Sequence, residues 1–373
     1  TVLIILANQS QAKLTANQLA QWLGDRSYSL YLWHWPLVVA LYFAGLQNDW
    51  LWVSGAIVLS LILAHLSYHL VEVPTRSYLS ASSLRKEIFA IAFAGLVIGL
   101  AAVSVRLFTF ENRLPPEVQL AAAEAENKPK IGRFIKTDDG YFRSGEAITA
   151  YLIGDSHASA VRSVLDKLAE DISGGGIKFG SSPGCPMIKG AEYSANRGDK
   201  RSCLEFNNFF IDLLLNSTDT APVVLVSRTS LGLYGFNENP KESQRPYIKF
   251  EGIDDSSFAR HYEEKLTETA CLLSKNRKVY LMRPIPELKV NVPRVLARNL
   301  MFGLKDEIKI TLEEYHERHK LVWEAQDQAA EQCGVKILDP LPYLCDDQYC
   351  YGSRNGRPLY YDDDHLSEYG NKY

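Results

Sequence analysis

The chain has 373 residues, 46% of them apolar, with a formal net charge of −4. That balance supplies no broad basic field, so nucleic acid is excluded as a partner on charge. The length allows two or three domains. The apolar residues are unevenly spread, with long runs up to about residue 110 and short runs between polar turns thereafter.

Thr1–Ala7 reads as the tail of an apolar helix, because it lacks the charged start and small-residue cleavage site of a signal peptide. The natural protein is therefore expected to extend further at its N-terminus. Three segments then have about the 20 residues needed to cross a bilayer: Ser27–Leu46, Leu51–Leu70 and Ile88–Leu107. The loop Gln47–Trp50 has no positive charge, whereas Arg76, Arg85 and Lys86 lie between the second and third spans. The positive-inside rule places that second loop in the cytoplasm and everything after about residue 110 outside. Residues 1–110 are thus expected to form a membrane domain, and 111–146 a linker with a short helix at 116–126.

From 147 to 373, strand-like and helical patterns alternate. Strands are expected at 147–153, 177–179, 222–226, 278–282 and 335–338, and helices at 158–171, 206–215, 258–274 and 312–333. Alternation at this spacing predicts an α/β/α layer fold with a parallel sheet, whose ligands bind beyond the carboxyl ends of its strands. The last residues, Asn371–Tyr373, read as part of a further helix. All six cysteines, at 185, 203, 271, 333, 345 and 350, fall in this part. An even set confined to one domain points to disulfides and an oxidising compartment. The expected pairing joins sequence neighbours, 185–203, 271–333 and 345–350, against the alternative of buried thiols. Zinc is disfavoured because no C-x-x-C pair is present.

Two local patterns carry chemistry. In Tyr151–Ala158, YLIGDSHA, an apolar strand ends in Gly-Asp-Ser and a helix follows at once. Ser156 then sits at a helix N-terminus, where unpaired N–H groups can stabilise an oxyanion. Alone, Ser156 reads equally as an N-cap. In Tyr360–Ser367, YYDDDHLS, Asp362 stands three residues before His365. A carboxylate there can hold Nδ1–H and leave the other ring nitrogen to take a serine proton. The competing reading, a calcium loop of three aspartates, lacks calcium-loop ligand spacing. In the membrane part, His65 and His69 lie on one helical face, but a metal pair would need a third ligand.

Gly-Asp-Ser-His near the first strand and Asp-x-x-His near the end resemble the SGNH (GDSL-like) hydrolase family over about 147–373. That resemblance implies Ser156 as nucleophile, His365 as general base and Asp362 as its orienting partner. The family adds glycine and asparagine oxyanion donors. Gly180 or Gly184 could supply the former, but Ser227-Arg228-Thr229-Ser230 offers no asparagine, so Arg228 or Thr229 becomes a candidate near the site, with Arg228 equally a plain ion-pair partner. Residues 27–36, SYSLYLWHWP, with 70–76, LVEVPTR, resemble the end of the acyltransferase-3 membrane family. The earlier helices, with the arginine and histidine thought to handle the acyl donor, are not in this chain. His34 is not that histidine, and an aromatic belt at the membrane surface also accounts for its cluster.

The fused order is similar to O-antigen and surface-glycan O-acetyltransferases. It implies a bacterial inner-membrane acyltransferase with an extracytoplasmic catalytic domain. Cytoplasmic acyl-CoA, such as acetyl-CoA, is the implied donor, a surface glycan or lipid-linked saccharide the acceptor, and no resident cofactor or metal is implied. The alternatives are an extracytoplasmic carbohydrate esterase and a non-catalytic surface module.

Overall fold

The computed structural model describes residues 17–81, 83–107, 114–130, 132–194, 202–238 and 246–373. The chain divides into two compact units, residues 1–113 and 114–373. The expected helix tail at Thr1–Ala7 lies outside the described residues.

The first unit contains α1 (Gln18–Asp25), α2 (Ser27–Ala44), α3 (Trp50–Ser67), α4 (Val73–Ala81) and α5 (Leu84–Leu107). A π-turn over Tyr68–Glu72 joins α3 to α4, with the Val73 N–H donating to the Tyr68 carbonyl five residues back. Pro74 follows at once; it has no N–H and its ring crowds the preceding turn, which accounts for the irregular pitch. Among the described residues, two helices, Trp50–Ala81 and Leu84–Leu107, are long and apolar enough to cross a membrane. Three such spans were expected. The helix covering the first, α2, is diluted by His34, Pro36 and several tyrosines and tryptophans. His65 and His69 face Arg26 rather than a third metal ligand. Arg26 Nε donates to His65 Nδ1 at 3.2 Å, and its Nη2 lies 3.1 Å from His69 Nε2.

The second unit opens with α6 (Pro116–Ala123) and the hairpin β1 (Ile135–Lys136) and β2 (Phe142–Arg143). Then follow β3 (Ile148–Gly154), α7 (Ser156–Ser173), β4 (Gly176–Ser181), β5 (Glu192–Tyr193), α8 (Cys203–Asn216), β6 (Val223–Val226), α9 (Thr229–Tyr234) and β7 (Ile248–Lys249). After these come α10 (Asp255–Ser274), β8 (Val279–Met282), α11 (Val292–Met301), β9 (Lys309–Thr311), α12 (Leu312–Cys333) and β10 (Lys336–Leu338). The main sheet runs β1-β2-β4-β3-β6-β8-β10.

From β4 to β10 every pair is parallel, but β1–β2 and β2–β4 are antiparallel. The sheet is therefore mixed, not wholly parallel as expected. The departure comes from the segment read as a linker: its residues from 114 onward belong to the second unit, and a turn closed by Thr137 N–H to the Tyr141 carbonyl folds two short strands onto the edge.

Alternate residues of β3 and β6 enter opposite cores. Leu152, Val224 and Val226 pack with α7, whereas Tyr151, Ile153, Val223 and Leu225 pack with Phe206 and Phe210 of α8, Leu266 of α10 and Val322 of α12. Burial on both faces explains why PVVLV reads as a continuous apolar run. A third core gathers Val118 of α6, Leu296 of α11, Ile310 of β9 and Tyr360 and Leu366 of the final loop. Disulfides join Cys185–Cys203, Cys271–Cys333 and Cys345–Cys350, the neighbour pairing expected.

Candidate active site

The strand-to-helix turn after β3 is tightly held. A Cβ on Gly154 would collide with the carbonyl oxygen of Val226, so glycine lets the ends of β3 and β6 close together. Asp155, fully buried, caps α7: its Oδ1 accepts from the His157 N–H at 2.9 Å and its Oδ2 from the Arg228 N–H at 2.8 Å. Burial pushes its pKa up. The cap is thus Asp155, and Ser156 is the first residue of α7, half-buried at the sheet's carboxyl edge. The reading of Ser156 as an N-cap falls with that.

The second element is the loop at 360–366. Tyr360 and Leu366 bridge its base, and Asp362 Oδ1 accepts the His365 backbone N–H at 2.9 Å. The loop is tied to the chain after β8, where Leu288 N–H donates to the Asp363 carbonyl at 2.8 Å and Val292 N–H to that of Asp362 at 2.9 Å. Two carboxylates converge on one ring nitrogen. Asp362 Oδ2 lies 2.9 Å from His365 Nδ1 and Asp364 Oδ1 lies 2.7 Å from it. Tyr361 stacks on the ring, and the ring of His157, next to Ser156 in the chain, packs on it with centroids 4.8 Å apart. His365 Nε2 is buried and has no hydrogen-bond partner among the described residues. Burial opposes the charged ring, but the hydrogen bonds of Asp362 and Asp364 outweigh it and raise the His365 pKa to about 10.

Behind this loop lies a buried charge cluster. The Arg228 guanidinium reaches Asp364 Oδ2, Glu287 Oε2 and Glu238 Oε2, each at 2.8 Å. Arg318 Nε meets the same Glu287 oxygen at 2.9 Å. Burial disfavours the Asp364 charge, yet His157, His365 and Arg228 nearby hold its pKa well below the usual carboxylate range. Among the described residues, His157, Asp364 and His365, and separately Asp362, Asp363 and Asp364, bring potential metal-ligand atoms within 4.8 Å of one another. Asp364 already faces a guanidinium and Asp362 an imidazole, so the protein's own cations answer these carboxylates.

The architecture is a serine at a helix start and an Asp-x-x-His loop whose histidine ring packs on His157, the residue after the serine. The family of SGNH domains fused to AT3 domains matches residues 125–373, well over half of the chain. This chain belongs to that family. Two curated relatives match over shorter stretches. A protein of Bacillus subtilis (strain 168) named a peptidoglycan O-acetyltransferase is 41% identical over 59 residues, 15% of this chain and 9% of that protein. A protein of Komagataeibacter xylinus named a membrane-bound transacylase is 36% identical over 88 residues, 22% of this chain and 23% of that protein. The chain thus spans less than a quarter of either relative's length. Among solved structures, the periplasmic domain of a Salmonella ser. Paratyphi A lipopolysaccharide acetyltransferase aligns at a TM-score of 0.43 and 16% identity, covering 60% of this chain and 80% of that one.

In this SGNH unit the other candidates have structural explanations of their own. Gly180 lies in β4, where a Cβ would run into the Phe210 ring. Gly184 has φ +66 and packs on Tyr247. Gly180 lies near the carboxyl end of β4, the strand paired with β3, and Gly184 lies just after it, since Ser181 pairs with Gly154. Arg228 joins the site as the hub of the charge cluster. Asp155, His157, Asp364 and Glu287 were not singled out from sequence. The Gly-Asp-Ser-His and Asp-Asp-Asp-His strings contained three of them, but nothing local marks which aspartate meets the ring, and Glu287 carries no pattern at all.

Proposed function

We propose that this chain is part of a membrane-bound O-acyltransferase that moves an acetyl group from cytoplasmic acyl-CoA to a hydroxyl of a surface glycan. Ser156 is the nucleophile, His365 the general base and Asp362 its orienting partner. The observation that carries this reading is the state of His365: carboxylates hold Nδ1, and Nε2 is buried with no hydrogen-bond partner among the described residues, its ring packed on the serine's neighbour His157.

In the first half-reaction, Ser156 Oγ attacks the acyl carbonyl while His365 Nε2 takes its proton. Collapse breaks the bond to the donor's leaving group, which leaves with that proton, and an acetyl-serine remains. In the second, a sugar hydroxyl attacks the ester, His365 takes the hydroxyl proton, and Ser156 recovers it as the new ester departs. Of the first helix N–H groups, that of His157 is committed to Asp155, so the N–H of Ser156 itself is the first candidate for the oxyanion. Three disulfides confined to the second unit and the charges of the 71–87 loop support an extracytoplasmic position for the catalytic unit, anchored by the apolar helices in the bacterial inner membrane.

Ser156→Ala in the full protein tests this. Glycan acetylation should vanish while folding and membrane insertion persist. Acetylation at the unaltered rate would remove the serine from the mechanism.

A further inference from the structure

Beside the final loop the structure has a polar groove whose walls include none of Ser156, Asp362 and His365. Its volume is about 530 Å³, within the range of small-ligand sites. One wall is Tyr234 and Asn237, which follow β6; another is Glu287 and Lys289, which follow β8; the third is Glu314 and Arg318 in the first turns of α12. All three lie at the carboxyl edge of the parallel strands, where α/β sheets bind their ligands. The groove is coupled to the reaction centre through shared bonds. Glu287 and Asp364 hold the same Arg228 guanidinium, and Leu288, between two wall residues, hydrogen-bonds the Asp363 carbonyl.

The charges in the walls say what fits. Lys289 is paired with Glu314 at 2.8 Å, and Arg318 with Glu287 at 2.9 Å and with the Gly235 carbonyl at 2.8 Å. Both wall cations are therefore already engaged and do not favour an anion. The open capacity is for hydrogen-bond donors. Glu287 Oε1 is buried, and it has no hydrogen-bond partner among the described residues. Burial opposes the Glu287 charge, but Arg228 and Arg318 keep it ionised. An ionised oxygen left unpaired in a buried position is costly, and a neutral hydroxyl donor relieves that cost without adding charge.

We propose that this groove is the acceptor subsite and that it takes a neutral, polyhydroxylated sugar, with Glu287 Oε1 accepting from one of its hydroxyls. The proposal rests on the acyl-serine reading above and narrows its acceptor to uncharged saccharides.

The test uses the full chain in detergent, with p-nitrophenyl acetate as acetyl donor. Two probes compete with water for the acetyl group: methyl glucoside or cellobiose as neutral sugars, and methyl glucuronide as an anionic one. The readout is the ratio of O-acetylated sugar to p-nitrophenol released, which does not depend on the amount of active protein. A neutral sugar should be acetylated well above the glucuronide. Filling the groove from either side, with Asn237→Trp or, on α12, Glu317→Trp, should lower the ratio for neutral sugars by about tenfold or more, as expected when acceptor binding is removed. An unchanged ratio in both variants, equal acetylation of the glucuronide, or no acetylation of any neutral sugar overturns the proposal. Failure of the underlying reading looks different: Ser156→Ala would then release p-nitrophenol as fast as the unaltered protein.

Discussion

Replacing Asp364 with Asn should make the site a better base at neutral pH. In the unaltered protein two carboxylates sit within 3 Å of His365 Nδ1, and the ring's pKa is raised to about 10. At pH 7 only about one ring in a thousand is then neutral and able to accept a proton. Asp364→Asn removes the nearer charge and leaves Asp362 to hold the N–H. Loss of an opposite charge at such range moves a pKa by roughly 1–3 units, so the neutral fraction at pH 7 should rise by about 10- to 500-fold. Part of that gain is offset because a ring of lower pKa is a weaker base. The measurement is the rate of Ser156 labelling by a fluorophosphonate across pH 5–11 in the full chain. In the unaltered protein the rate should climb with pH towards about 10; in the variant the rise should be complete at lower pH. An alkaline limb that stays in place, or moves upward, would refute the idea that Asp364 sets the charge of His365. Arg228 keeps Glu287 and Glu238 in the variant, so its own burial remains compensated.

Asp362→Asn should act in the opposite sense, because it takes away the partner aligned with Nδ1–H; turnover should fall by about 10²–10⁴-fold, read as acetyl ester cleavage at saturating substrate. The raised His365 pKa also has a stability consequence. Its contribution is fully present below about pH 6.5 and is lost as pH rises through about 10, so urea unfolding of the unaltered chain should lose more stability than His365→Ala over that window. Among the disulfides, Cys271–Cys333 closes a span of 62 residues and Cys345–Cys350 one of 5. Chain entropy then predicts a loss of about 4 kcal/mol on removing the first and about 2 kcal/mol for the second, measured by urea unfolding of paired Cys→Ala variants. Gly154→Ala should abolish labelling of Ser156 and destabilise the unit by about 1–3 kcal/mol or more, since a methyl group meets the Val226 carbonyl.

Much of the parallel sheet could be read directly from sequence, because strands buried on both faces show as unbroken apolar runs and their crossover helices as amphipathic ones. The segment 222–226 and the helix at 312–333, closed by Gly334, are of that kind. The edge hairpin at 135–143 was not readable. Its strands have two residues each, too few for a period, and their pairing partner β4 lies some forty residues on. Helix α11 was missed for another reason: its buried residues Val292, Leu296 and Ala297 interleave with Arg294 and Arg298, and Pro293 within its first turn suggests a loop unless the N-terminal tolerance for proline is weighed. The serine and the histidine were visible because each sits in a short string whose chemistry is local.

Arg228 marks where local reading stops. From sequence it is one arginine after a strand, equally a substrate contact or an ion-pair partner. In the fold its backbone N–H fixes Asp155, and through Asp155 the turn that presents Ser156; its side chain fixes Asp364, and through Asp364 the ring of His365. One residue therefore orients both halves of the site from opposite ends of the second unit. A buried guanidinium is tolerated only when its charge is answered, and three carboxylates from separate segments answer it. Each of those segments is held by contacts far away in sequence. The cluster is thus a consequence of the sheet's strand order, and no window of residues around position 228 could have contained it.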